Sequence, residues 1–207
     1  MKKCFKSVFL CMLIAGFVWS ITLMKDTQIL RKELIRLHVV GASNEEADQA
    51  LKLQVRDAVI ESLQKELNHV TDVSQAKAYL QNNLSDIRMV ATQVLESAGC
   101  AETIRVSLGR EAFPMRLYDT FALPSGVYET LRITIGEGQG RNWWCVAFPA
   151  LCVGAAVEDF EQTALCAGMS ESLTATLAGE TDYEVRFLIL DAIGKLENFI
   201  HSRQFPL

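Results

Sequence analysis

The residues that could do chemistry in this chain are few. Its 207 residues include three histidines and six cysteines. His38 sits in an apolar run, His69 in a polar stretch between two helical patterns, and His201 near the C-terminus. A thiol nucleophile needs a base within hydrogen-bond reach, so a thiol enzyme would have to bring His38 to Cys145 or Cys152. A histidine on a strand is more often packed than catalytic. No His, Cys, Asp or Glu group has metal-ligand spacing, and no carboxylate pair stands in a glycosidase or aspartic-protease context. The chain is therefore read as non-enzymatic, with no catalytic residue, no metal and no cofactor. Cys145 and Cys152 enclose six residues including Pro149, unlike the two-residue spacing of zinc or thioredoxin-type sites. A local disulfide there would stabilise by about 2 to 3 kcal/mol; two buried thiols are the alternative. Gly136-Glu137-Gly138-Gln139-Gly140 follows a strand pattern, but a phosphate loop needs a helix behind it. Asn142-Trp143-Trp144 opens no helix, so a hairpin turn is expected. Trp143, Trp144, Phe148 and Pro149 form the most unusual local composition. Strand alternation would bury one tryptophan and turn the other outward as a protein anchor; burial of both under a C-terminal helix is the competing reading.

These residues need elements to hold them. Leu34 to Val40 reads as a buried strand ended by Gly41. Ser43 and Glu46 form a capping box for a helix with Leu51, Val55, Val59, Leu63 and Leu67 on one face. Thr71 or Asp72 caps a second helix, from Val73 to Ala98, stopped by Gly99 and antiparallel to the first. From Thr103 the period becomes two, with Ile104, Val106 and Leu108 on one face and Gly109 closing the strand. Val127 to Ile135 puts Leu131, Ile133 and Ile135 inward and Tyr128, Thr130, Arg132 and Thr134 on the other face. Residues 142–146 are then expected as its hairpin partner. The fold class is α+β, a helix pair and a C-terminal helix packed on a small, mostly antiparallel sheet, preceded by an N-terminal hydrophobic helix. Residues 33–153 form the domain. Residues 154–180, acidic and rich in Ala, Ser and Thr, read as a variable connection, loosely packed or a surface helix. Residues 181–203 read as an amphipathic helix with Val185, Leu188, Ile189, Ala192, Leu196 and Phe199 docking on the domain; Phe187, Leu190 and Ile193 widen the stripe and leave a partner-binding role open.

Residues 1–25 carry four lysines and no acid, and Ser7 to Leu23 are uncharged. That is a basic n-region and an apolar h-region. It serves as a signal peptide or a membrane anchor; an apolar helix of that length reaches about 25 Å, slightly short of a bilayer core. Lysines before the run place the rest of the chain on the outer side. That remainder has 16 basic and 25 acidic side chains, a net of −9, which repels nucleic acid and anionic lipid.

Ile35-Arg36-Leu37-His38-Val39-Val40 with Asp48-Gln49-Ala50-Leu51-Lys52 and Val55-Arg56-Asp57, and then Gly136 to Cys145 with Phe148-Pro149-Ala150-Leu151-Cys152, resemble the stage II sporulation protein R family. The likeness spans about Leu34 to Val153. Gly41-Ala42 stands where Ala-Asn is expected, and Ala150 where a second proline is common. The resemblance implies export from the forespore into the space between it and the mother cell. There the family activates a membrane-embedded aspartic protease that matures the precursor of the early mother-cell sigma factor. It also implies a partner contact rather than catalysis, expected at Asn142, Trp143, Trp144, Phe148 and Pro149 with His38 nearby.

Overall fold

The computed structural model describes residues 31–118, 121–149 and 183–204, with Cys11, Leu165, Glu171, Thr174 and Leu177; the side chains of 183–190, 203 and 204 are not described. The leader, Cys11 apart, and most of 150–182 lie outside the described residues. The elements run β1 (Ile35–Val40), α1 (Glu46–Leu67), α2 (Val73–Asn82), α3 (Leu84–Ser97), β2 (Ile104–Phe113), β3 (Arg116–Leu117), β4 (Ala122–Leu123), β5 (Gly126–Ile135), β6 (Asn142–Phe148) and α4 (Tyr183–Gln204).

Four strands form the main sheet in the order β2-β5-β1-β6, and β3 and β4 form a two-stranded ribbon. β2 pairs antiparallel with β5 and β1 antiparallel with β6, while β1 and β5 run parallel. The sheet is thus mostly antiparallel, with helices packed on it. All six residues of β1 are buried, as its place between two strands requires. Ile35, Leu37 and Val39 join Leu131, Ile133 and Ile135 of β5 and Ile104 of β2 beneath Leu51, Val55 and Val59 of α1 and Ile87, Ala91 and Leu95 of α3. This is the main core, and each such aliphatic side chain contributes about 1.5–3 kcal/mol on leaving water.

β6 is not the hairpin partner of β5. The loop after β5 crosses the end of β1, and β6 pairs on its far side. Gly140 N–H donates to Gly41 O at 2.8 Å and Gln139 N–H to Ala42 O at 3.2 Å. A Cβ at Gly140 would strike the carbonyl oxygens of Ser43 and Gly41, so the crossover demands a residue without a side chain. Gly136 and Gly138 take positive φ, 57° and 68°. α1 secures the crossing from below. Lys52 Nζ donates to Arg141 O at 3.1 Å and Gln49 Nε2 to Ser43 O at 2.7 Å.

Other boundaries move for local reasons. Glu45 is the N-cap of α1, and Ser43 instead accepts from Glu45 N–H and donates to Asp48 Oδ2. The second helical pattern breaks at Asn83. Asn83 Nδ2 donates to Tyr79 O, and Asn83 O accepts from Asp86 and Ile87, closing α2 and opening α3. Asp72 caps α2 through Ser74 N–H, and Gly99 takes the left-handed φ expected past a helix end. β2 continues through Gly109 to Phe113.

α4 packs on β5 and β2. Asp191 accepts from Ser125 N–H and Oγ–H, Gly194 lies against the Ser125 carbonyl, and Asn198 Nδ2 donates to Phe113 O. Of the apolar stripe read from sequence, Ala192, Leu196 and Phe199 are exposed, and the side chains of Val185, Leu188 and Ile189 lie outside the described residues. Asp191 anchors this part of the helix. Burial pushes its carboxyl up, but Lys195 and two Ser125 hydrogen bonds outweigh that and hold it low, so a charged hydrogen-bond hub seats the helix. Within 154–180, Leu177 packs into a second cluster with Leu34, Phe113, Tyr128 and Val146, and Thr174 is buried.

Candidate functional site

Alternation along the strands sends one set of side chains to the helices and the other to the opposite face. On that opposite face the register sets His38 beside both Arg132 and Trp144, and Arg36 beside Thr130 and Val146. β2, running past Gly109, adds Glu111 and Phe113.

His38 is 7% exposed. Its Nδ1 donates to Glu111 Oε2 at 2.7 Å, and its Nε2 lies 3.0 Å from Asn142 Oδ1. Glu111 Oε1 also accepts from Arg132 Nη1 at 3.3 Å. Burial raises the Glu111 carboxyl, but His38 and Arg132 outweigh it and hold the group below the ordinary range. The imidazole is flanked by Phe113 and Trp144, with ring centroids 6.0 and 5.7 Å away. With its nitrogens within hydrogen-bond distance of Glu111 and Asn142 and its ring against Phe113 and Trp144, His38 is a strut tying β1 to β2 and β6.

Arg36, fully buried, lies two residues before His38 on the same face of β1. Its Nε donates to Cys145 O and its Nη2 to Tyr118 Oη, both at 2.9 Å. The guanidinium lies 4.4 Å from the Phe113 ring centroid and 5.2 Å from that of Tyr128, a cation–π cage. Burial lowers the Arg36 pKa against the opposing pull of Tyr118 and Tyr128, and pushes the Tyr128 phenol up to about 12.

Trp144 is half-buried on this face, with the Arg116 guanidinium 3.9 Å from its ring centroid. Trp143 lies on the helix face, 37% exposed, with Arg56 of α1 at 4.3 Å. Neither tryptophan is fully buried, and each carries an arginine. The structure thus brings His38, Asn142 and Trp144 together and sets Trp143 on the other side of the same edge strand. Phe148 is buried in the main core, and Pro149, after a cis peptide bond, is buried too. Cys145 faces the helix side beside Leu37, opposite His38. Its sulfur is disulfide-bonded, Cys11 and Cys100 are free, and the partner cysteine lies outside the described residues. A His38–Cys145 catalytic pair is therefore excluded by geometry. Among the described residues no group of three or more His, Cys, Asp or Glu could hold a metal.

Sequence reading missed Glu111, Arg132, Arg36, Tyr118, Arg116 and Arg56 as neighbours of the site. Arg132 and Arg36 were placed on strands, and the period of two does set their face; their partners depend on strand order, which periodicity does not carry.

The segments that carry the family likeness meet here: β1 pairs with β6, Lys52 holds the Arg141 carbonyl, and Arg56 covers Trp143. A family model described as Stage II sporulation protein R (spore_II_R) matches residues 31–158. Stage II sporulation protein R of Bacillus subtilis (strain 168) is 35% identical over 124 residues, 60% of this chain and 55% of that protein. The match thus spans about half the length of that relative. No solved structure matches. With more than half its length matched by the family model, this chain belongs to the Stage II sporulation protein R family.

Proposed function

We propose that this chain is an exported sporulation signal that activates a membrane-embedded aspartic protease, which then matures the precursor of the early mother-cell sigma factor. The family membership supports the sporulation role. The observation that carries the mode of action is the β6 edge. Trp143 and Trp144 emerge on its two sides, each under an arginine, and His38 packs beside Trp144. Aromatic and arginine side chains dominate contact hot spots, and the arrangement suits a recognition surface. In this reading residues 1–25 deliver the domain across the forespore membrane, and Cys145 pairs with Cys152 in the oxidising space beyond. Non-reducing peptide mapping would show the bridge as one linked peptide pair; a Cys145–Cys166 link would refute it.

The function is tested in a sporulating host lacking the gene. The wild-type chain should restore cleavage of the sigma-factor precursor. A Trp143→Ala/Trp144→Ala variant exported at equal level should lose most of it. Normal cleavage with that variant would remove the patch from the contact, and no restoration by the wild-type chain would remove the function.

A further inference from the structure

The charge of this acidic chain is unevenly placed. Where β1 and β5 begin, a cleft of about 630 Å³ is rimmed by Arg31, Lys32, Lys77 and Arg110 against two carboxylates, Glu129 and Glu197. Both carboxylates are engaged, Glu129 by Lys77 at 3.0 Å and Glu197 by Arg31. Lys32 and Arg110, both exposed, make no ion pair among the described residues. The cleft is thus locally +2, on a chain whose residues beyond the leader sum to −9.

Glu197 also marks where α4 joins the cleft. On either side of it along the helix are Leu196, Phe199 and Ile200, 61%, 55% and 48% exposed. At 100° per residue they share a face turned away from the docking residues Asp191, Gly194 and Asn198. A basic rim beside an apolar helical ridge is the composition of an interfacial helix, whose apolar side enters the headgroup boundary while cations meet anionic lipid.

We propose that this end of the domain, Arg31, Lys32, Lys77 and Arg110 with the Leu196–Phe199–Ile200 ridge, docks on a bilayer surface containing anionic phospholipid. The acidic remainder reinforces the orientation, since an anionic surface repels it and turns the basic end inward. Reach agrees. Five residues separate Lys25 from Arg31, so the chain between the leader and the cleft spans at most about 20 Å. That last point rests on residues 1–25 acting as a leader; the surface itself does not.

The test uses the full chain with vesicles of phosphatidylcholine and roughly three parts in ten phosphatidylglycerol, carrying a photoactivatable phospholipid, with adducts mapped by peptide mass spectrometry. Adducts are expected on peptides covering 192–203 and on those holding Lys32 and Arg110, several-fold above those on the outer surface of α1. Phosphatidylcholine alone, or Lys32→Glu/Arg110→Glu, should lower the α4 yield several-fold. Leu196→Glu/Ile200→Glu should remove it while leaving the near-ultraviolet signal of Trp143 and Trp144 unchanged. Adducts confined to residues 1–25 would overturn the proposal. So would α4 labelling indifferent to lipid charge, or an α4 ridge unlabelled because it joins two copies of this chain. Labelled α4 with an unlabelled leader would sink the leader reading and leave the docking face standing.

Discussion

On the helix side of the sheet Leu37, Val39, Leu131 and Ile133 meet aliphatic neighbours, while on the other side the same strands put forward Arg36, His38, Arg132 and Glu111. The first set fills volume under α1 and α3. The second set is held by directed bonds, Arg36 to Cys145 O and Tyr118, His38 to Glu111 and Asn142. Non-directional packing tolerates a change of partner; a hydrogen-bonded network does not. The helix side accordingly carries stability, and the other side fixes how β2, β1 and β6 line up beneath Trp144.

Four experiments would break or sharpen that contrast. Leu131→Ala should cost about 2–5 kcal/mol by urea unfolding through the cavity it leaves, whereas Arg36→Met fills the volume and should cost about 1–3 kcal/mol through the Cys145 carbonyl it leaves unpaired, with β6 amide protection lost in the second variant only. Equal loss of that protection in both would end the distinction. At the crossover that joins the two sides, Gly140→Ala should cost about 3 kcal/mol, since its Cβ meets the Ser43 and Gly41 carbonyls. Gly109→Ala, with open space around its Cβ, should be nearly neutral in the same assay.

Glu111→Gln should cost about 1.5 kcal/mol near neutral pH and flatten the acid limb of stability. Because the folded carboxyl is held low, its contribution is full above the ordinary value of 4.5 and disappears as pH falls through the depressed folded value. Stability measured across that range for wild type and variant should converge at the acid end; parallel curves would remove Glu111 from the network. Arg56→Ala should cost about 0.5–1 kcal/mol at its half-exposed position over Trp143. Its clearer readout is a shift in tryptophan emission, and an unchanged spectrum would mean that the stacking is not held in solution.

The helix side was legible in the sequence. Leu131, Ile133 and Ile135, and Ile104, Val106 and Leu108, alternate cleanly, and α1 repeats its aliphatics at helical spacing, because burial against helices is a periodic demand. The other side was legible only in part. Tyr128, Thr130, Arg132 and Thr134 declared their face, but Gly109 looked like a strand end and so hid Glu111 and Phe113. A short glycine-rich loop fits a hairpin as readily as a crossover, so β1 between β5 and β6 was not foreseen; its partners lie about 90 to 110 residues away, and local pattern holds no such information. In the described part of α4 the docking contacts come from a buried Asp191 hub, while Ala192, Leu196 and Phe199 of the expected stripe are exposed. His38 and Asn142 were named in one contact set from the family resemblance, and the structure places His38 Nε2 3.0 Å from Asn142 Oδ1.

The central strand also sets a timetable. β1 emerges early in synthesis, yet one flank waits for β5 and the other for β6, which reaches it only after the loop at Gly140 has passed over its end. Such distant pairing makes folding slow, so Ile35 to Val40 stays without its full set of partners until Phe148 has been made. Pulsed hydrogen exchange on a nascent series should protect the β1 amides fully only in chains that include β6. The strand nearest the N-terminal segment is thus the last to be locked, which keeps the chain pliable for as long as any of the sheet is still to come.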